Sequence, residues 1–94
     1  MKLKLYDQIK FTQGDRVEYG FVSGLWGANG IFCRYWVNGQ PGKLRTLANS
    51  ERTYPEDLVR YKSVPKETIE KVVKRLKSNP EKYGPIGGDN KWLG

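Results

Sequence analysis

Histidine, the side chain that most often moves protons near neutral pH, is missing from this chain of 94 residues. Its single cysteine, Cys33, therefore has no imidazole to take its proton. One thiol alone makes neither a Cys–His nucleophile nor a thiolate zinc site. Cys33 alternates with Ile31, Tyr35 and Val37, the period of a strand with one buried face, and this places it in a core. The carboxylates Asp7, Asp15, Glu18, Glu51, Glu56 and Asp57 are scattered, and the adjacent pair Glu56–Asp57 suits a turn better than acid–base work. Gly24, Gly27 and Gly30 form a glycine-rich loop without the lysine or strand-to-helix setting of a phosphate loop. These residues predict no enzyme, no metal site and no small-molecule cofactor.

Cations interleaved with aromatics offer a different chemistry. If Ile31, Cys33, Tyr35 and Val37 point inward, Phe32, Arg34 and Trp36 point outward. On the returning strand Leu44 and Thr46 turn inward and Lys43, Arg45 and Leu47 outward. Placing Val37 opposite Leu44 sets Trp36 opposite Arg45. Rings beside cations suit single-stranded nucleic acid, whose bases stack while its phosphates meet positive charge. Two readings of that face stay open: a binding surface, or a surface covered by the C-terminal helix, with Arg45 stacked on Trp36 as an ordinary cation–π pair. Lys74 and Arg75, with Lys71 and Lys77, add a second cationic surface on the helix, and Trp92 near the C-terminus is either docked or kept for a partner.

The elements that must hold these residues follow from periodicity. Leu3, Leu5, Ile9 and Phe11 alternate as a strand, and 12–15 read as a turn. Residues 16–23 form a second strand, bent at Gly20, and 31–37 form the best strand of the chain. Asn38-Gly39 opens a turn prolonged through Gln40-Pro41-Gly42, and 43–47 return antiparallel. Tyr54-Pro55-Glu56-Asp57 is a tight turn before the last strand, 58–61. After Ser63, a possible N-cap, Ile69, Val72, Val73 and Leu76 make one apolar stripe on a helix that ends at Ser78-Asn79-Pro80. The chain thus divides into a β region (1–62), a C-terminal helix (63–79) and a glycine-rich, mobile tail (80–94).

Gly14-Asp15-Arg16-Val17, Gly20-Phe21-Val22, the central hairpin and Tyr54-Pro55-Glu56-Asp57-Leu58-Val59 resemble the SH3-like small barrels. The resemblance covers roughly residues 3–61 and implies a mainly β fold: a small antiparallel barrel with one C-terminal α-helix. Leu5-Tyr6-Asp7 is also similar to part of the Ala-Leu-Tyr-Asp-Tyr signature of true SH3 domains. The long loop that follows that signature is missing, however, and it builds one wall of their proline-peptide groove. The superfamily binds partners too varied for the fold to choose among them.

The formal net charge of +7 favours an anionic partner, either nucleic acid or an acidic protein surface. One cysteine suits a reducing, cytoplasmic setting. The first residues lack the apolar core of a signal peptide, and no stretch reaches the roughly 20 apolar residues of a membrane span. The sequence therefore predicts a binding module for nucleic acid through Phe32, Arg34, Trp36, Lys43, Arg45, Lys74, Arg75 and Trp92. The alternative is an adaptor or regulatory subunit docking on an acidic protein.

Overall fold

Alternating apolar residues build antiparallel strands, the main element of the chain. The computed structural model describes residues 3–27, 30–45 and 50–88, with the backbone of 92 and 93. The strands are β1 (Leu3–Lys4), β2 (Gln8–Gln13), β3 (Arg16–Trp26), β4 (Gly30–Val37), β5 (Gln40–Leu44), β6 (Glu51–Arg52), β7 (Leu58–Arg60) and β8 (Trp92–Leu93). The helices are α1 (Lys66–Lys77) and α2 (Pro80–Tyr83). The main sheet runs β5–β4–β3–β2–β7, with β6 also along β4, while β1 pairs with β8. A 3-10 turn, Pro55–Asp57, leads into β7.

In its second half the long strand β3 is covered on both faces, and the pleat sends neighbouring side chains into two different cores. Val22 points into an inner core with Ile9, Phe11, Leu25, Ile31, Cys33, Tyr35 and Leu58. Phe21, its neighbour, points into a second core shared with Trp36, Val64, Ile69, Val73, Leu76 and Tyr83. The apolar stripe of α1 thus packs on the outside of the sheet, as its period requires. Each fully buried side chain such as Leu76 contributes about 1.5–3 kcal/mol. Gly20 lies where β3 meets β4, and a Cβ there would fall 1.9 Å from the Arg34 carbonyl oxygen, so the strands close up only around glycine.

Several expectations need correction. The alternation from Leu3 to Phe11 is not one strand. Lys4 to Asp7 form a turn in which Asp7 N–H donates to the Lys4 carbonyl and its carboxylate accepts from Lys4 N–H at 3.0 Å. The hairpin turn is only Asn38–Gly39, because Val37 already pairs with Gln40. An irregularity next to it sets Trp36 opposite Leu44 rather than opposite Arg45. Leu44 consequently joins the outer core instead of the inner one. Val17, the first apolar residue of β3, is 46% exposed, because its partner Thr12 and the alternation from Phe21 put it on the outer face, beyond the helix. Thr46 and Leu47 lie outside the described residues.

Ser63 does not cap α1. The N-cap position is Pro65, and the Ser63 hydroxyl instead accepts the Trp36 indole N–H at 2.9 Å. The tail holds a further short helix, α2, started by Pro80 and by the Asn79 side chain accepting from Lys82 N–H. Beyond it the described tail is bonded to β3 at Gly87. Gly87 N–H donates to the Ser23 carbonyl at 2.9 Å, and Leu25 N–H donates to the Gly87 carbonyl at 2.8 Å. Gly88 follows at φ 129, so close to β3 that a Cβ would meet the Leu25 carbonyl oxygen at 1.9 Å.

Candidate functional site

The outward face of β4 is covered. Trp36 is 4% exposed and packs on Phe21 with ring centroids 5.6 Å apart. Arg34 is 1% exposed, and its guanidinium donates to the Tyr83 carbonyl at 2.8 Å. A second, longer bond reaches the Pro85 carbonyl at 3.4 Å. Trp36 therefore anchors the helix and Arg34 anchors the segment after it, and neither meets solvent. The sequence set both side chains on the correct face but left open what lies above it: α1 over Trp36, and the chain at Tyr83 and Pro85 over Arg34. Phe32 is half-buried, edge-on to Trp26 at 5.6 Å.

Arg45 is committed elsewhere. It bridges Glu18 at 3.2 Å and also Glu51, while Arg16 bridges the same two carboxylates, meeting Glu51 at 2.8 Å. Two cations and two anions cancel at this end of the sheet, and Arg45 stacks over Tyr35, not Trp36. Burial tends to raise the Glu51 carboxyl, but the hydrogen bond from Arg16 and the charges of both arginines hold it below its ordinary value. Burial pushes the Cys33 thiol up to about 12, so it stays protonated in its apolar setting. Lys43 is exposed on β5. Arg75 is exposed and lies over the Tyr83 ring, with the guanidinium carbon 5.8 Å from its centroid. Trp92 pairs with Lys4 through its backbone, and its side chain lies outside the described residues.

Among the expected residues whose side chains are described, only Lys74 lines a large groove beside the helix. This groove, about 900 Å³, runs between α1, the β1–β2 turn and the chain after β7. Leu5, Tyr6, Tyr61, Ile69 and Val73 give it an apolar lining. Six cations surround them: Lys4, Arg60, Lys62, Lys66, Lys74 and Lys77. Only Asp7 and Glu70 oppose these, and Asp7 is already engaged by Arg60 at 3.3 Å. Helical spacing brings Lys66, Lys74 and Lys77 to this side of α1, whereas Arg75 turns towards Tyr83.

Gln8 fixes the helix beside the barrel. Its side-chain carbonyl accepts from Ser63 N–H and Val64 N–H, each at 3.0 Å, and its amide donates to the Val64 carbonyl at 2.8 Å. Tyr6 sits at the inner wall with φ 73, a left-handed conformation that costs a non-glycine residue on the order of 1–2 kcal/mol. Its buried hydroxyl has no protein hydrogen-bond partner among the described residues, and the Lys77 ammonium lies 5.5 Å from its ring centroid. Strained residues of this kind cluster at ligand sites. Tyr61 is 48% exposed and meets the Tyr19 ring at 5.0 Å between centroids.

Sequence reasoning missed this groove because its walls come from residues 4–8, 60–62 and 66–77, which only folding brings together. The one readable sign was the recurrence of lysine on one side of the helix. Among the described residues no helix is long and apolar enough to cross a membrane. Comparison of the chain with known protein families, with characterised proteins and with solved structures finds no match.

Proposed function

We propose that the chain is a non-catalytic binding module, an SH3-like small barrel with an added helix, that holds single-stranded nucleic acid in the groove between α1 and the barrel. One observation carries the reading: an apolar, tyrosine-bearing groove ringed by six cations against two carboxylates. Phosphates would meet the lysines, and a base would lie against Tyr61 or in the groove beside Tyr6. A duplex offers its phosphates outside and its bases stacked within, and so leaves an apolar groove unfilled. The strand order, with a 3-10 turn before β7, supports the small-barrel resemblance. The buried, protonated Cys33 suits a reducing, cytoplasmic setting.

The test is an anisotropy titration with a fluorescein-labelled twelve-residue oligothymidylate at several salt concentrations. Binding at low salt should weaken as salt rises, with a slope of about 0.7 per phosphate contact. Lys66→Glu combined with Lys74→Glu should weaken it at least roughly tenfold and flatten that slope, while Lys43→Glu on β5, outside the groove lining, changes little. No binding at tens of micromolar protein, or equal loss from Lys43→Glu, contradicts the reading. Binding of polyglutamate in its place would make the chain an adaptor for an acidic protein.

A further inference from the structure

Beyond the groove, the outer face of β3, β2 and β7 is left uncovered by the helix. Register places Lys10 between Tyr19 on one side and Val59 on the other, and Thr12 beside Val17. These five side chains share the face that ends at Tyr61, whose N–H continues the ladder to the Gln8 carbonyl at 3.1 Å. Val17, Val59 and Tyr61 are 46%, 53% and 48% exposed, an unusual concentration of apolar surface on a sheet face. The Lys10 ammonium lies 6.0 Å from the Tyr19 ring centroid. None of the five side chains is a carboxylate.

Tyr61 belongs to both surfaces. It lines the groove, and its ring packs against Tyr19 on the open sheet face. Rings and a cation thus follow one another out of the groove, from Tyr61 to Tyr19 and Lys10. We infer that a single strand leaves the groove over Tyr61 and continues across Tyr19 and Lys10, so the site takes several successive nucleotides and not one. This rests on the groove being a nucleic-acid site. Complementarity of charge selects the occupant: the platform offers a cation and rings, which match the phosphates and bases of a strand, and no anion for a basic partner.

A length series of labelled oligothymidylates, from two to twelve residues, separates the two claims. Affinity should rise with length beyond what the groove holds. Lys10→Glu and Tyr19→Ala should each weaken the longer oligomers roughly tenfold and leave the shortest unchanged, whereas Lys74→Glu weakens every length. Lys10→Glu is a surface change that leaves both cores intact, so it stands even if Tyr19→Ala disturbs folding. If Lys74→Glu abolishes binding while Lys10→Glu and Tyr19→Ala leave the longest oligomer untouched, the platform is wrong and the groove stands. If no oligomer binds to the wild-type protein, both are wrong.

Discussion

The side-chain amide of Gln8 meets the backbone of Val64 twice, donating to its carbonyl at 2.8 Å and accepting from its N–H at 3.0 Å. A strand residue thus closes a short ladder with the linker that launches α1, and the helix can cross the sheet in only one place. The groove exists because of that crossing. Gln8→Ala leaves the linker groups of Ser63 and Val64 without these partners, and should cost about 1–3 kcal/mol. In a domain of this length that is a fall in melting temperature on the order of 10 °C, read by circular dichroism. An unchanged transition would mean that the helix is held by its apolar stripe alone.

Trp36 is buried in the outer core and carries structure. Trp36→Ala removes the ring packed on Phe21 and the indole bond to Ser63, and should destabilise by about 3–5 kcal/mol. A small domain often has little more than this in total. Urea titration of this variant should show a partly unfolded protein at 25 °C, while Trp36→Phe, which keeps a ring, retains a cooperative transition. A fully stable Trp36→Ala protein would contradict the outer core described here.

Tyr6→Phe should do the opposite of most core substitutions. It deletes a buried hydroxyl that has no partner among the described residues and keeps the ring against the groove. Desolvating such a group without a bond costs about 1–3 kcal/mol. The melting temperature should therefore hold or rise. A clear fall would show that the hydroxyl makes a bond that matters to the fold.

The Arg16–Glu18–Arg45–Glu51 cluster gives a dependence on pH. Glu51 is held below its ordinary value in the folded state, so the unfolded state binds its proton first. The contribution is present at neutral pH and disappears as pH falls from the usual carboxylate range towards the lowered folded value. The side chains are substantially exposed, which keeps the effect at about 0.2–1 kcal/mol. Urea midpoints of the wild type and Glu51→Gln should differ at pH 7 and converge at pH 3. A difference that persists in acid would assign the effect to packing.

What was legible in the sequence follows from local physics. Alternation placed Ile31, Cys33 and Tyr35 in the core, and helical spacing placed Ile69, Val73 and Leu76 on one apolar stripe that packs on the sheet. Neither period says what covers an outward face, so whether Arg34 and Trp36 lie open stayed undecided; α1 covers Trp36, and the segment at Tyr83 and Pro85 covers Arg34. The turn at Leu5–Tyr6 was hidden because its positive φ belongs, by propensity, to glycine. The groove was invisible for a different reason: Tyr6, Tyr61 and Lys74 are distant in sequence, and their meeting depends on the Gln8 clamp.

The central claim is the location of the binding site, and amide chemical-shift mapping tests it most directly. A ¹⁵N-labelled sample titrated with unlabelled oligothymidylate at low salt should show progressive shifts at Tyr6, Gln8, Tyr61, Lys62, Lys66 and Lys74. Shifts should spread to Lys10 and Tyr19 with the longer oligomer, while Lys43 and Arg45 stay still. Shifts centred on the β4–β5 hairpin, or none at saturating oligonucleotide, would contradict the account.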